Sequence, residues 1–109
     1  MLPAKHRLKK DRDFQRVLAG HNKALCGPLL VFSVPGEAET ARFGVVVSKK
    51  VSKKAVERNK IRRQIAELLR PVAENFQTPL DVVLLVLRSA EFSQYQQGIE
   101  TWQKKQQSS

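Results

Sequence analysis

Eight cations stand against one acid in the stretch KKVSKKAVERNKIRR, residues 49–63. Lys49, Lys50, Lys53, Lys54, Arg58, Lys60, Arg62 and Arg63 oppose only Glu57, so +7 of the chain's net +10 is gathered in fifteen residues. Lysine brings a point charge on a flexible stem. Arginine brings a planar fork that can engage two phosphate oxygens at once. Asn59 adds a donor and an acceptor, enough to hold a nucleotide edge or a backbone oxygen. A merely solvated face mixes signs. One sign dominates here, which is how a phosphate-binding surface is written.

Other chemistries find little support. A protein nuclease acting by itself needs clustered carboxylates with a metal, or a histidine pair. The ten acids are scattered, and the two histidines, His6 and His21, read as ordinary surface residues. No catalytic residue, no metal site and no cofactor bound by the protein alone are therefore expected. The single cysteine, Cys26, excludes an internal disulfide and a cysteine zinc cluster, and reads as a small buried apolar residue. No apolar run approaches the roughly 18 residues of a membrane span. The basic N-terminus lacks the apolar core of a signal peptide. The expectation is a cytoplasmic protein with a nucleic-acid partner and no membrane contact. A second basic region covers residues 1–23, where Lys5, Arg7, Lys9, Lys10, Arg12, Arg16 and Lys23 face Asp11 and Asp13.

These side chains need elements to hold them. The 109 residues make one domain, 1–109, with residues 104–109 expected to fray. Phe14, Val17 and Leu18 fall at i, i+3 and i+4, which predicts a helix over 11–19 ended by Gly20. Residues 23–26 allow a short strand before Gly27-Pro28, and LLVFSV over 29–34 is a firmer one. ARFGVVVS over 41–48 reads as a strand in which Gly44 marks a tight packing point or bulge. The lysine loop follows, then a helix over 55–70. Ile61, Ile65, Leu68 and Val72 share its apolar face, while Asn59, Arg62, Arg63 and Arg70 fall in one opposite arc. Pro71 is expected to end or kink that helix. LDVVLLVL over 80–87 is apolar on both faces, as in a central strand. Ser93 is positioned to cap a short last helix carrying Tyr95, Ile99 and Trp102 on one stripe. The order α-β-β-β-α-β-α predicts an α/β (α+β) two-layer sandwich with a single four-stranded sheet. Its third and fourth strands should run parallel.

With those elements in place, Glu57-Arg58-Asn59-Lys60-Ile61-Arg62-Arg63 resembles the arginine-asparagine signature of the bacterial ribonuclease P protein subunit. Val47-Ser48-Lys49-Lys50-Val51, the opening Leu2-Pro3 with 7–17, Gly27-Pro28-Leu29-Leu30-Val31 and Asp81-Val82-Val83-Leu84-Leu85 are similar to the same family in the same order. The resemblance implies the small partner of a catalytic RNA, in a complex that removes the 5′ leader of precursor tRNA, with magnesium held in the RNA-containing holoenzyme. It implies a 1:1 complex with a monomeric protein, and a left-handed crossover between the parallel strands, against the usual hand. Carried over by position, Lys49, Lys50, Lys53, Lys54, Arg58, Asn59, Arg62 and Arg63 would contact the RNA subunit. Arg7, Lys10, Phe14, Leu18 and Phe32 would line a cleft for the leader. Phe14 and Phe32 are candidates to stack on unpaired bases, and equally candidates for the core.

Two positions depart from the family pattern. Ala66 stands where another arginine is expected, with Arg70 one turn on as a partial substitute, and Pro71 interrupts where the family helix runs on. Both are expected to weaken the far end of the helix as an RNA contact. The alternative reading is a ribosomal-protein-like RNA-binding module of similar fold, which would need the basic surface but no leader cleft.

Overall fold

A computed structural model describes residues 2–76 and 78–107. The main elements are α1 (Asp11–Leu18), β1 (Lys23–Cys26), β2 (Leu29–Pro35), β3 (Arg42–Val47), α2 (Ala55–Asn75), β4 (Leu80–Val86) and α3 (Phe92–Gln107), preceded by a 3-10 turn at Ala4–His6. This is the expected order. The strands form one sheet in the order β1-β2-β4-β3. β1 and β2 are antiparallel, as are β2 and β4, whereas β3 and β4 run parallel with Phe43 opposite Val82 and Val45 opposite Leu84. Gly27, at φ 61°, supplies the left-handed residue that closes the β1–β2 hairpin.

Alternation along the strands builds two separate apolar clusters. Leu29, Val31, Phe43, Val82, Leu84 and Val86 point to one face, where Ile61, Ile65 and Leu69 of α2 and Tyr95, Ile99 and Trp102 of α3 pack on them. Phe32 and Val83 point to the other face and meet Val17 of α1 and Leu8, with Phe14, Leu30, Val34, Val46 and Leu85 partly buried around them. The larger cluster is the main sandwich; α1 and Leu8 cover only part of the opposite face. Trp102 closes the large cluster, edge-on to Phe43 at 6.1 Å and stacked on Phe76 at 5.7 Å. The Tyr95 hydroxyl is buried but satisfied: it accepts from the Ala90 N–H at 3.0 Å and donates to the Arg88 carbonyl at 3.2 Å.

Four expectations are corrected. The helix does not end at Pro71 but continues to Asn75. Val72 and Ala73, just beyond the proline, are buried against the sheet and outweigh the missing N–H, and Asn75 Nδ2 donates back to the Pro71 carbonyl at 2.8 Å. The last helix is sixteen residues long, with Ser93 inside its first turn. Gln94 Oε1 accepts from the Glu91 N–H at 3.0 Å, the glutamine half of a capping box. Residues 104–107, expected to fray, belong to that helix, while 108 and 109 lie outside the described residues. Finally, His6 is a buried residue whose Nδ1 donates to the Ala41 carbonyl at 2.8 Å, and only His21 is exposed.

Candidate nucleic-acid interface

The lysine loop and the start of α2 hold each other in place. The Ser52 hydroxyl donates to Glu57 Oε2 at 2.6 Å and accepts from the Lys54 N–H at 3.2 Å. Glu57, the one acid of the stretch, is thus held by a serine, and its single negative charge still leaves the stretch at +7. Arg58 donates to the Ser52 carbonyl at 2.9 Å and so clamps the loop onto the helix. Lys49, Lys50, Lys53 and Lys54 are all exposed. They gather at the positive end of the helix dipole, an arrangement that a bound anion would relieve.

One turn on, Arg62 donates to Asn59 Oδ1 at 2.5 Å, and Arg63 beside them is exposed. Arg58 therefore serves the loop as well as the surface, while Asn59, Arg62 and Arg63 form an ordered outward cluster. Arg70 lies further along and pairs with Glu74 at 3.6 Å.

A groove of about 200 Å³ runs at the outer edge of β3, with Arg7, Leu8 and Phe14 on one side and Arg62, Arg63 and Ala66 on the other. Its floor includes Phe43, Gly44 and Val45. The Phe14 ring lies directly over Gly44 because that residue has no side chain. The groove is apolar at its floor and cationic at its rim. It can accept a flat unstacked base with phosphates on the arginines.

The structure thus brings together two groups that the sequence reading kept apart, the arginine cluster of α2 and the leader candidates Arg7 and Phe14. Lys10 lines a neighbouring hollow with Arg7. Phe32 is 8% exposed and belongs to the core beneath α1, so its face is already covered. Leu18 is 37% exposed and lines neither space. Sequence reasoning missed Leu8, Val45 and Ala66 as groove walls. The one signal present was the glycine at position 44, read as a tight packing point without its partner.

α1 is fixed over the sheet by charge. Asp81, fully buried on β4, accepts two bonds from Arg42 at 2.9 and 2.7 Å and a further short one from Arg16 of α1. Asp13 of α1 lies 3.6 Å from Arg16 and 3.8 Å from Arg42. Burial alone would push the Asp81 carboxyl up. Hydrogen bonds from Arg42 and then Arg16 outweigh that and hold it below the ordinary carboxylate range. Cys26 is shifted the other way: burial raises its thiol, as for an inert packing residue.

A family model described as Ribonuclease P matches residues 2–107. The ribonuclease P protein component of a Synechococcus species is 43% identical over 79 residues, spanning 69% of this chain and 59% of that protein. That of a Picosynechococcus species is 32% identical over 99 residues, spanning 91% of this chain and 85% of that protein. Among solved structures, the RNase P protein of Staphylococcus aureus matches with a TM-score of 0.78 at 28% identity, over 93% of this chain and 94% of that one.

Proposed function

The chain belongs to the ribonuclease P protein family, and from that premise we propose that it docks on the catalytic RNA through the Lys49–Arg63 surface and holds the 5′ leader of precursor tRNA in the groove beside it. As a family member it is a protein subunit of ribonuclease P, the endoribonuclease of tRNA 5′ maturation, and its partner is the ribonuclease P RNA. The family match sets aside a ribosomal-protein-like module.

The observation that carries the reading is the meeting of Phe14 and Arg7 with Arg62 and Arg63 across one groove. The lysine loop and the outward face of Asn59, Arg62 and Arg63 supply charge and bidentate donors for a folded RNA. The groove wall offers Phe14 to a base that is not paired, a condition met by a single-stranded leader and not by a duplex. Such stacking contributes about 1–3 kcal/mol per base. The same arginines then serve both RNAs, one along the helix and one across it.

Bond cleavage falls to the RNA and its magnesium. On this reading the buried acids serve the fold and not the chemistry, since Asp13 and Asp81 are committed to arginines. The protein's part is to bind and orient the substrate, as a monomer in a 1:1 complex in the cytoplasm. Reconstitution with the catalytic RNA at low magnesium tests this. Adding the protein should raise cleavage of leader-bearing precursor, whereas equal rates with and without it would contradict the reading.

A further inference from the structure

A hollow of about 500 Å³ lies between the N-terminal segment, the start of α1 and the loop joining β2 to β3. Six cations line it, among them Lys5, Arg7, Lys9, Lys10 and Arg12, against the two carboxylates of Asp13 and Glu37. Both acids are already engaged, Asp13 with Arg16 and Arg42 and Glu37 with Arg16 at 3.6 Å and Arg12 at 3.9 Å. Among the described residues, Lys5, Arg7, Lys9 and Lys10 have no ion-pair partner. Arg7 Nε is buried and lacks a hydrogen-bond acceptor.

The hollow is built on fixed pins. His6 bonds the Ala41 carbonyl, the Thr40 hydroxyl donates to the Lys5 carbonyl at 2.9 Å, and the Leu8 N–H donates to the Phe43 carbonyl at 3.0 Å. These bonds hold the cations against β3 and reduce the ordering cost of binding. Arg7 lines both this hollow and the Phe14 groove, so the two spaces adjoin at this residue.

We propose that the hollow binds the phosphodiester backbone of the leader beyond the nucleotides held at Phe14, so that Lys5, Lys9 and Arg12 read leader length. The proposal rests on the leader-groove reading. The groove is walled by the helix that docks the RNA subunit, so it takes the part of the leader nearest the cleavage site. A strand leaving the groove past Arg7 enters the hollow, where its phosphate oxygens meet the unpaired charges of Lys5, Lys9 and Lys10. The lining is cationic and lacks an aromatic face, so it recognises charge and not base identity.

The test is Lys5→Gln with Lys9→Gln in the reconstituted holoenzyme. Both side chains are exposed, so the fold should be unaffected. Affinity is measured for precursors whose leader ends within the groove and for precursors whose leader extends past it, with bare RNA subunit as a third ligand. The expected result is a severalfold loss confined to the long leader. Its plot of log affinity against log salt should become shallower by about 1.4, from about 0.7 for each single-strand phosphate contact. No loss on any ligand, an equal loss on both leaders, or a loss on bare RNA subunit would overturn the proposal. Phe14→Ala, run alongside, separates the two readings. If it loses leader affinity while the lysine pair does not, only the hollow fails. If it shows no leader dependence, the groove reading fails as well.

Discussion

The Phe14 ring occupies the space that a side chain at residue 44 would take: a Cβ built on Gly44 falls 2.5 Å from Phe14 Cζ. A glycine on β3 therefore sets how close α1 comes to the sheet edge, and with it the wall of the groove. Gly44 has no positive φ, so its role is space and not backbone freedom. The groove depends on this pair as much as on its arginines.

Gly44→Ala should push the Phe14 ring from its seat. We expect a stability loss of about 1–3 kcal/mol from overpacking, read by denaturant unfolding. Affinity for leader-bearing precursor should fall while affinity for the RNA subunit is kept, because the α2 surface is untouched. An unchanged precursor affinity would detach the ring's seat from function.

Arg62→Ala with Arg63→Ala should weaken binding to the RNA subunit and flatten its salt dependence. Each lost phosphate contact is worth about 0.9 in the slope of log affinity against log salt on a duplex. The slope is measured by titration at several salt concentrations. If it stays the same, that face of α2 is not in the interface.

Asp81→Asn removes one partner of a buried ion cluster and leaves Arg42 and Arg16 facing a neutral amide. The expected cost is about 3–5 kcal/mol. The pH behaviour follows from the lowered carboxyl. Its stabilisation is complete above the unfolded value of about 3.9 and is lost as pH falls through the lower folded value. Wild-type unfolding free energy should therefore drop in acid below about pH 4. The variant should be less stable at neutral pH and should lose less on acidification. Parallel curves for the two proteins would show that Asp81 is not the group responsible.

Pro71→Ala should stabilise the protein. The residue is exposed within a continuous helix, and alanine restores an N–H donor. The penalty of an interior proline is about 3 kcal/mol, and the helix here has accommodated part of it, so a gain of about 1–3 kcal/mol is expected in denaturant unfolding. A loss would mean that the proline's rigidity is needed at that turn.

Much of this was legible in the sequence because alternation and the 3.6-residue period act locally. LLVFSV and LDVVLLVL give their strands, and Ile61, Ile65 and Val72 give the buried face of α2, on which Leu69 is buried and the expected Leu68 only partly so. The basic stretch was legible as charge. Relationships between distant residues were not. Nothing local says that Phe14 rests on Gly44, or that Arg7 and Arg62 share a groove. Phe14 and Phe32 are both aromatic residues in amphipathic segments, yet one lines the groove and the other lies in the core, a difference set by where α1 crosses the sheet. His6 looked like a surface residue because its acceptor, the Ala41 carbonyl, lies 35 residues away. Pro71 misled for a related reason: local propensity argued for a stop, and the burial of Val72 and Ala73 overrode it.

The central claim is that the groove at Phe14 holds the leader while α2 docks the RNA. The most direct measurement compares precursor and mature tRNA binding by holoenzyme reconstituted with wild-type protein or Phe14→Ala. The account predicts that precursor affinity falls by about tenfold, within the 1–3 kcal/mol of one lost base stack, while mature tRNA affinity is unchanged. An equal loss on both ligands, or none on precursor, would contradict it.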